Sequence, residues 1–401
     1  MRCMALTFVA AFVLGVASSQ DIALSPSGMT VLKVVYGASC GSGRILADEQ
    51  SLLTDYVKAL CDGRDVCSGI VDVDVLSGAI GSCDGDFHVV AVCEHGELRS
   101  YGVDGEAAGQ EFTIDCSSRE IPAARQHPDW MGEMENVLAN KTIKELRLAG
   151  THHSGTFSFD MFLYHLAKCQ SIRVGQQLMA GVRYLDYRLG AMEESYGARV
   201  IHGVFYGQQA LTDLLEIWAF SQLHPREFFI VDFQHTSTLE TSMQRKLSVW
   251  LDVLFRETVI NRWTIPLTQH TMREVWGSGR RVLFLHDRPS SSQVWPRGVL
   301  YARWPNVCTG ETLADHSDNE LFQIHVHYHQ LVVLQWVITV KFQCLTSLYG
   351  RSLDIREEAM QWLQHNNHPF TIVLTDFTLQ PLEEEGIVEQ IIEANRHVGT
   401  Y

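Results

Sequence analysis

Polar side chains that could move protons or bind an anion stand at the ends of several short apolar segments of this chain. His152 and His153 follow the first of these segments, and the second ends in Asp186 and Arg188. The set continues along the chain with His202, Asp232, His235 and Asp376. A single histidine is more often structural than catalytic, and an aspartate after a strand is often only a helix cap. The repeated placement after successive segments favours a shared functional site.

Two imidazoles, a guanidinium and carboxylates together suit the cleavage of a phosphodiester. One imidazole can remove the proton of the attacking hydroxyl while the other protonates the leaving oxygen. An arginine can offset the charge of the non-bridging oxygens with a two-pronged contact. A carboxylate can hold an imidazole in the required tautomer and stabilise its protonated form.

These side chains would meet if the apolar segments were parallel strands of one barrel, because such barrels carry their active sites at the carboxyl ends of the strands. From Pro128 onward, strand patterns alternate with helical patterns, which predicts a parallel α/β barrel over residues 128–401. A glycine-rich phosphate loop, expected of a nucleotide-binding open sheet, is missing. The predicted strands are Leu146–Ala149, Arg183–Tyr187, Arg199–Ile201, Phe228–Phe233, Val282–Leu285, Val299–Tyr301 and Thr371–Thr375. The last helix, Leu382–Arg396, has an acidic start and a basic end, which suits the helix dipole.

The region before the barrel differs in composition. Residues 29–116 are rich in Gly, Asp, Val and Cys, and their short alternating segments predict a small disulfide-rich β module, followed by a linker over residues 117–127. Six of the ten cysteines lie between Cys40 and Cys116, a density typical of a disulfide framework. The barrel region holds three more, Cys169, Cys308 and Cys344. These nine cysteines are an odd number, so at least one thiol is free or forms a disulfide outside the chain.

Residues 1–19 combine Arg2, a short apolar run and small residues, which predicts a signal peptide and therefore a secreted, extracellular protein. The sequon at Asn140 predicts a glycosylation site. The formal net charge of −16 argues against nucleic acid as a partner and against non-specific attraction to anionic membranes.

The catalytic region resembles the X-domain family of phosphatidylinositol-specific phospholipases C, especially the bacterial enzymes and the animal X-domain-only proteins. The matching segments are LAGTHHSG (148–155), QQLMAGVRYLDYRLG (176–190), VIHGVFYG (200–207), FFIVDFQH (228–235), LYARWPN (300–306), TIVLTDF (371–377) and EQIIEANR (389–396). This resemblance implies an irregular (β/α)8 TIM-type barrel. It also implies cleavage of phosphatidylinositol or a glycosylphosphatidylinositol anchor through an inositol cyclic phosphate, with transient contact to a membrane surface.

By position, the resemblance implies that His152 is the general base, oriented by Asp376. His202 is then the general acid, and Arg188 neutralises the phosphate. The calcium-dependent relatives carry two carboxylates on the second strand where this chain has Asp186 and Arg188, so we expect no metal and no cofactor. A fixed guanidinium charge and a divalent cation are alternatives at one position.

One position departs from the family pattern. The residue after the general base is usually acidic or an amide and supports the general acid, but here it is His153. This substitution leaves the partner of His202 open, and Asp232 is a candidate. Two roles stay open for Asp186, Asp232 and His235: they could support the catalytic groups or contact the substrate.

The N-terminal module resembles, more loosely, the galactose- or rhamnose-binding domains of egg lectins, in the segments VVYGASC (34–40), ALCDGRDVCSGIVD (59–72) and GSCDGDFHVVAVC (81–93). The resemblance implies a glycan as a further partner, while a stabilising β module without a ligand is the alternative. Two other functions also stay open for the whole chain. One is a catalytically inactive carbohydrate-binding or adhesion protein, which the intact histidine–arginine–aspartate set disfavours. The other is a metal-dependent phospholipase D-like lyase on the same barrel.

Overall fold

The computed structural model describes residues 22, 24–25, 27–40, 47–72, 85–159, 167–191, 197–234, 236, 239, 241–262, 266–289, 291–307, 310–322, 327, 329–339, 348–366 and 370–397. The predicted signal peptide over residues 1–19, His235, Cys308 and Cys344 lie outside these ranges. Within the described ranges, no helix combines the length and the apolar character needed to cross a bilayer.

The described part of the N-terminal module contains two small antiparallel sheets and one helix. Its elements are β1 (Met29–Tyr36), α1 (Ala47–Cys61), β2 (Val66–Ile70), β3 (Phe87–Cys93), β4 (Leu98–Val103) and β5 (Glu111–Asp115). One sheet has the order β1-β3-β4, and the other pairs β2 with β5. Disulfides join Cys61 to Cys67 and Cys93 to Cys116, and Cys40 is also disulfide-bonded. The disulfide-rich module is therefore present, but the sequence pattern did not predict α1.

Strand β3 is buried along its whole length because both of its faces are covered. Side chains alternate between the two faces of a strand. Val89 and Ala91 accordingly belong to the module's own core, whereas Val90 and Val92 belong to the core of the following barrel region. The module thus packs directly on the barrel.

Among the described residues, eight parallel strands form the barrel, and their order in the sheet follows the chain. They are β6 (Leu148–Thr151), β7 (Tyr184–Gly190), β10 (Phe229–Gln234), β11 (Val282–His286), β12 (Val294–Pro296), β13 (Leu300–Tyr301), β14 (Leu331–Trp336) and β15 (Ile372–Thr375). The sheet curls so that the last strand, β15, pairs with the first, β6. No ladder between β12 and β13 occurs among the residues that the structure describes. The predicted irregular α/β barrel is confirmed.

A hairpin follows β7 where the sequence pattern predicted a third parallel strand. Its strands are β8 (Arg199–His202) and β9 (Phe205–Gln209), and β8 runs antiparallel to the end of β7. That prediction was wrong because only the eight residues 191–198 separate the two strands. A parallel crossover needs a dozen or more residues.

The helices lie outside the sheet. They are α2 (Trp130–Glu133), α3 (Glu135–Leu138), α4 (Val174–Met179), α5 (Ala210–Leu223), α6 (Thr241–Phe255), α7 (Met272–Gly277), α8 (Gly310–Phe322), α9 (Leu348–His365) and α10 (Ile387–Arg396). Helix α5 is buried on nearly every side because it contacts both the barrel core and the module strands β3 and β4. Its buried face therefore includes polar side chains such as Asp213 and Glu216, which need hydrogen-bond partners inside the protein.

Helix α10 begins at Ile387, not at the predicted Leu382. The guanidinium of Arg125 donates to the carbonyl groups of Pro381 and Leu382 at 3.1 and 3.2 Å, and also to that of Glu384. These carbonyl groups therefore accept hydrogen bonds from a side chain, whereas in a helix they would accept them from backbone amides. The predicted acidic start of this helix was wrong for that reason.

Candidate active site

His152 and Asp376 lie side by side because they follow two neighbouring strands. Thr151 of β6 is opposite Thr375 of β15, and the amide of His152 donates to the carbonyl of Thr375 at 3.0 Å. Nδ1 of His152 lies 2.7 Å from Oδ1 of Asp376, and since the carboxylate can only accept, the imidazole donates. Nε2 of His152 is buried, has no hydrogen-bond partner among the described residues, and lies 3.9 Å from Oδ2 of Asp186. This nitrogen is left free to accept a proton.

His202 reaches the same site from the hairpin. Its Nδ1 donates to the carbonyl oxygen of Ala167 at 2.7 Å, so Nε2 is the ring nitrogen that can gain or lose a proton. Burial lowers the pKa of His202 to about 4, and the nearby positive groups His152 and Arg188 lower it further, against the hydrogen bond to Ala167. The ring centroids of His202 and His152 are 6.5 Å apart. The two imidazoles are therefore close enough to serve two oxygens of one phosphodiester.

His153 stands between the two histidines. Its backbone is left-handed, with φ of 44°, and its amide donates to Oδ2 of Asp186 at 3.1 Å. The buried ring stacks on His202 with centroids 4.1 Å apart and an interplanar angle of 16°. An imidazole thus occupies the place beside His202 where the family pattern puts an acidic or amide side chain.

Arg188 lines a cavity of about 670 Å³ together with His152, His202 and Asp376. Its side chain is partly exposed, and Nε has no hydrogen-bond partner in the described part of the chain. A guanidinium with unused donors at the cavity wall can take up an anion. The other polar side chains that line the cavity are Gln234, Arg297, Trp304, Gln335 and Thr339.

The carboxylates Asp186 and Asp232 are opposite each other on β7 and β10. Asp232 is fully buried and accepts from Nε of Arg297 at 2.7 and 3.0 Å and from the hydroxyl of Tyr184 at 2.7 Å. Burial raises its pKa to about 6, although the charge of Arg297 acts in the opposite direction. Asp232 is thus held by Arg297 and Tyr184, and Asp186 by the amide of His153.

Three further residues belong to the site, and the sequence did not assign them a role. The buried thiol of Cys169 lies 3.8 Å from Nδ1 of His202, and burial raises its pKa well above the ordinary value. Trp304 lies with its ring centroid 5.5 Å from that of His152. Arg297 holds Asp232. The sequence pointed to Trp304 only through the segment 300–306, which resembles the family. Cys169 and Arg297 lie in connections between elements, where no sequence pattern marked them.

The side chain of Asn140 is exposed after α3 and accepts from Arg273 at 3.1 Å. Its position at the surface is compatible with the predicted glycosylation.

Comparison with known proteins gives relatives that match about half of this chain. PI-PLC X domain-containing protein 1 of Homo sapiens is 30% identical over 236 residues, which cover 51% of this chain and 71% of that protein. PI-PLC X domain-containing protein 2 of Mus musculus is 25% identical over 213 residues, or 46% of this chain, and the match spans 62% of that relative's length. No family model matches the chain.

Solved structures of similar fold include the phosphatidylinositol-specific phospholipase C of Listeria monocytogenes. It superposes with a TM-score of 0.55 at 16% identity and covers 67% of this chain and 98% of the bacterial one. The enzyme of the same name from Staphylococcus aureus gives a TM-score of 0.53 at 15% identity, covering 68% and 98%. These likenesses establish the fold.

Proposed function

The chain belongs to the family of PI-PLC X domain-containing proteins, and from that relationship we propose that it is a secreted phosphodiesterase that cleaves phosphatidylinositol or a glycosylphosphatidylinositol anchor. The reaction forms an inositol cyclic phosphate and uses no metal. The observation that carries this proposal is the His152–Asp376 pair, with Nδ1 and Oδ1 2.7 Å apart and the free Nε2 of His152 in the same cavity as His202 and Arg188.

In the first half of the reaction, Nε2 of His152 takes the proton of the inositol 2-hydroxyl. The hydroxyl oxygen then forms a new bond to phosphorus. Asp376 keeps Nδ1 protonated, so that Nε2 has the lone pair needed for a base, and stabilises the imidazolium that results. The guanidinium of Arg188, which lines the cavity, suits the non-bridging oxygens, where charge develops.

In the second half, the bond from phosphorus to the diacylglycerol oxygen breaks, and His202 gives that oxygen a proton from Nε2. The carbonyl of Ala167 fixes the other ring nitrogen of His202 as a donor. His202 must therefore enter the reaction charged. The bound phosphodiester, an anion, favours this charged form because it stabilises a nearby cation.

Exposed apolar side chains around the cavity support contact with a lipid surface. Val204 in the turn of the β8–β9 hairpin is 82% exposed, and Tyr206, Trp304 and Tyr349 are 38%, 39% and 41% exposed. With a net charge of −16, the chain gains nothing from general attraction to anionic lipids, so such contact would depend on apolar insertion.

The disulfides Cys61–Cys67 and Cys93–Cys116 support export, since disulfides persist in oxidising compartments. Glycan binding by the module and the choice between free lipid and anchor remain predictions.

The deciding experiment incubates the purified full chain with phosphatidylinositol vesicles and, in parallel, with sphingomyelin vesicles. Phosphorus NMR then identifies the water-soluble product. We expect an inositol cyclic phosphate from the first lipid and no product from the second. Absence of any phosphorylated product from phosphatidylinositol and from a glycosylphosphatidylinositol-anchored protein would refute the proposed activity and favour the inactive binding protein.

A further inference from the structure

Cys169 is a cysteine that the proposed reaction does not use, yet its thiol is part of the cavity wall. It is the free cysteine of the described residues. Two hydrogen bonds fix its backbone: its amide donates to Oγ1 of Thr156 at 2.9 Å, and its carbonyl accepts from the amide of Phe377 at 2.7 Å. The thiol is therefore held at a defined place beside Asp376.

The thiol lies with His152 and Asp376 in a cluster of metal-ligating groups. One ligand atom from each of the three residues lies within 4.8 Å of the other two, and across the described ranges no second group of three His, Cys, Asp or Glu residues meets this criterion. All three side chains are buried. His152 also has a ring nitrogen without a hydrogen-bond partner in the described structure.

The chemistry of these ligands selects the class of cation. Thiolate, imidazole and carboxylate together are typical zinc ligands, at about 2.0–2.3 Å from the ion. Tetrahedral ligands at such distances lie about 3.5 Å from one another. Nδ1 of His152 and Oδ1 of Asp376 are only 2.7 Å apart, so side-chain rotation would have to separate this pair slightly and bring the thiol to the same spacing. The open cavity provides the fourth position for a water molecule.

Charge also favours a soft cation over a hard one. A bound thiolate and the carboxylate of Asp376 carry two negative charges, which balance a divalent ion. Calcium and magnesium prefer oxygen ligands, and this cluster offers them only Asp376. Arg188 lies near enough to influence Cys169 electrostatically, so a cation held by one carboxylate alone would be repelled. Soft thiolate coordination is needed to overcome that repulsion.

We propose that Cys169, His152 and Asp376 form an inhibitory Zn²⁺ site inside the active-site cavity. This inference rests on the proposed function, because the ion would inhibit by occupying the general base and its carboxylate. When the ion binds, the thiol of Cys169 loses its proton to water and its sulfur forms a bond to zinc. No oxidant or reductant takes part. The phosphodiester and the ion then exclude each other.

The site can be tested without any activity measurement. The chelator-treated full chain is titrated with Co²⁺, a spectroscopic substitute for zinc. A near-ultraviolet thiolate-to-cobalt band should appear, and Zn²⁺ should remove it by competition. Cys169→Ser and Cys169→Ala should abolish the band, and each of them, like Asp376→Asn, should weaken Zn²⁺ binding by about 10-fold or more. Ca²⁺ and Mg²⁺ should not compete.

A matched control is His95, which forms a histidine–carboxylate pair with Glu97 at 3.2 Å in the N-terminal module. His95→Gln should leave the cobalt band and the zinc affinity unchanged. If the wild type gives no thiolate–cobalt band, or if the Cys169 and Asp376 variants bind zinc as the wild type does, the proposed site is refuted.

The inhibitory role has its own readout. Zn²⁺ should inhibit hydrolysis of a soluble inositol phosphodiester competitively, at the concentration found in the binding titration, and Cys169→Ser should shift both midpoints by the same factor. Zinc binding without inhibition would overturn the inhibitory role. A protein that binds zinc through Cys169 but cleaves no inositol lipid would overturn the proposed function and keep the metal site.

Discussion

The ring of His153 stacks on the ring of His202, with centroids 4.1 Å apart and nearly parallel planes. His202 therefore has a second imidazole, not a carboxylate, against its face. A neighbouring carboxylate would favour the protonated form of a general acid, whereas an imidazole supplies no such charge. Burial lowers the pKa of His202 to about 4, so the free enzyme holds this group mostly neutral at pH 7.

The first prediction concerns the pH dependence. His152 must be neutral and His202 protonated for the reaction, so kcat/KM should be bell-shaped in pH, and because the pKa of His202 is about 4, one of the two limbs should lie near pH 4. Above the pKa, the protonated fraction falls about tenfold per pH unit. In kcat, the limb set by His202 should lie at higher pH, because the bound phosphate stabilises the imidazolium of His202. Profiles measured on a soluble inositol phosphodiester test both statements.

His153→Asp should move the limb of kcat/KM near pH 4 to higher pH, since it places a carboxylate beside His202 and so raises the pKa of that imidazole. The control His95→Asp makes the same change of side chain in the N-terminal module and should not move the limb. The absence of a limb near pH 4 in the wild type, or no displacement of that limb in His153→Asp, would contradict the assignment of His202 as the general acid.

The second prediction concerns Asp376. Asp376→Asn keeps the shape of the side chain but allows Nδ1 of His152 to lose its proton, so that the lone pair leaves Nε2. We expect kcat to fall by about 10²–10⁴-fold, the range for loss of a general base, with little change in melting temperature. The control is Asp287→Asn, which alters a similar pair with His286, 3.2 Å apart at the end of β11. Equal activities of the two variants would remove Asp376 from the mechanism.

Strand identity was predictable where burial on both faces leaves a continuous apolar run, as in β10 and β11. β14 has the same character, with the sequence LVVLQW, but it was not assigned as a strand. β8 was assigned to the wrong sheet position because a strand pattern does not state the direction of pairing. Helix α1 falls in a region whose cysteines and alternating segments suggested only strands.

The site was predictable to the extent that its residues directly follow strands. His152 and Asp376 could be placed at one mouth in advance because parallel strands carry their carboxyl ends to one edge, while their pairing was implied by the family resemblance. His202 reaches the cavity by a different route, through the hairpin turn. Cys169 and Arg297 come from connections whose course depends on tertiary packing, so their place beside Asp376 and Asp232 has no local signal in the sequence.

The third prediction concerns the lipid surface. Val204→Asp should strongly reduce hydrolysis of phosphatidylinositol in vesicles, because it places a charge on an 82% exposed apolar turn beside the cavity. Hydrolysis of a soluble inositol phosphodiester should be nearly unchanged, since Val204 does not line the cavity. Leu52→Asp, at a 72% exposed position on α1, is the matched control and should affect neither substrate. Equal loss on both substrates would argue against a membrane-contact role for this turn.

The fourth prediction concerns the contact between the module and the barrel. Glu216 of α5 is fully buried and accepts from Ser100 of β4 at 2.6 Å, from the amide of Gly175 at 2.7 Å and from Arg173 at 3.3 Å. Glu216→Ala should lower the free energy of unfolding by about 3 kcal/mol, because it leaves these donors unsatisfied.

Because Val90 and Val92 of the module lie in the barrel core, we also expect one cooperative unfolding transition for both parts. Urea denaturation followed by circular dichroism and by activity measures this. The control Glu393→Ala removes an exposed pair with Arg396 and should cost less than about 0.5 kcal/mol. Two separate transitions would show that the module is an independent unit.

The last prediction is that catalysis needs no divalent cation, because Arg188 supplies the fixed positive charge. Its Nε has no hydrogen-bond partner among the described residues, and its guanidinium lines the cavity with His152 and His202. Arg188→Lys keeps the charge but loses the planar two-pronged geometry, so kcat/KM should fall by at least about 10²-fold. Activity should survive excess chelator, and it should rise if the preparation carried zinc at the Cys169 cluster. Arg297→Lys changes an arginine that is bound to Asp232, and comparison of the two variants separates phosphate contact from support of the cavity wall. Loss of wild-type activity in chelator, with recovery on adding calcium or magnesium, would replace this mechanism with a metal-dependent one.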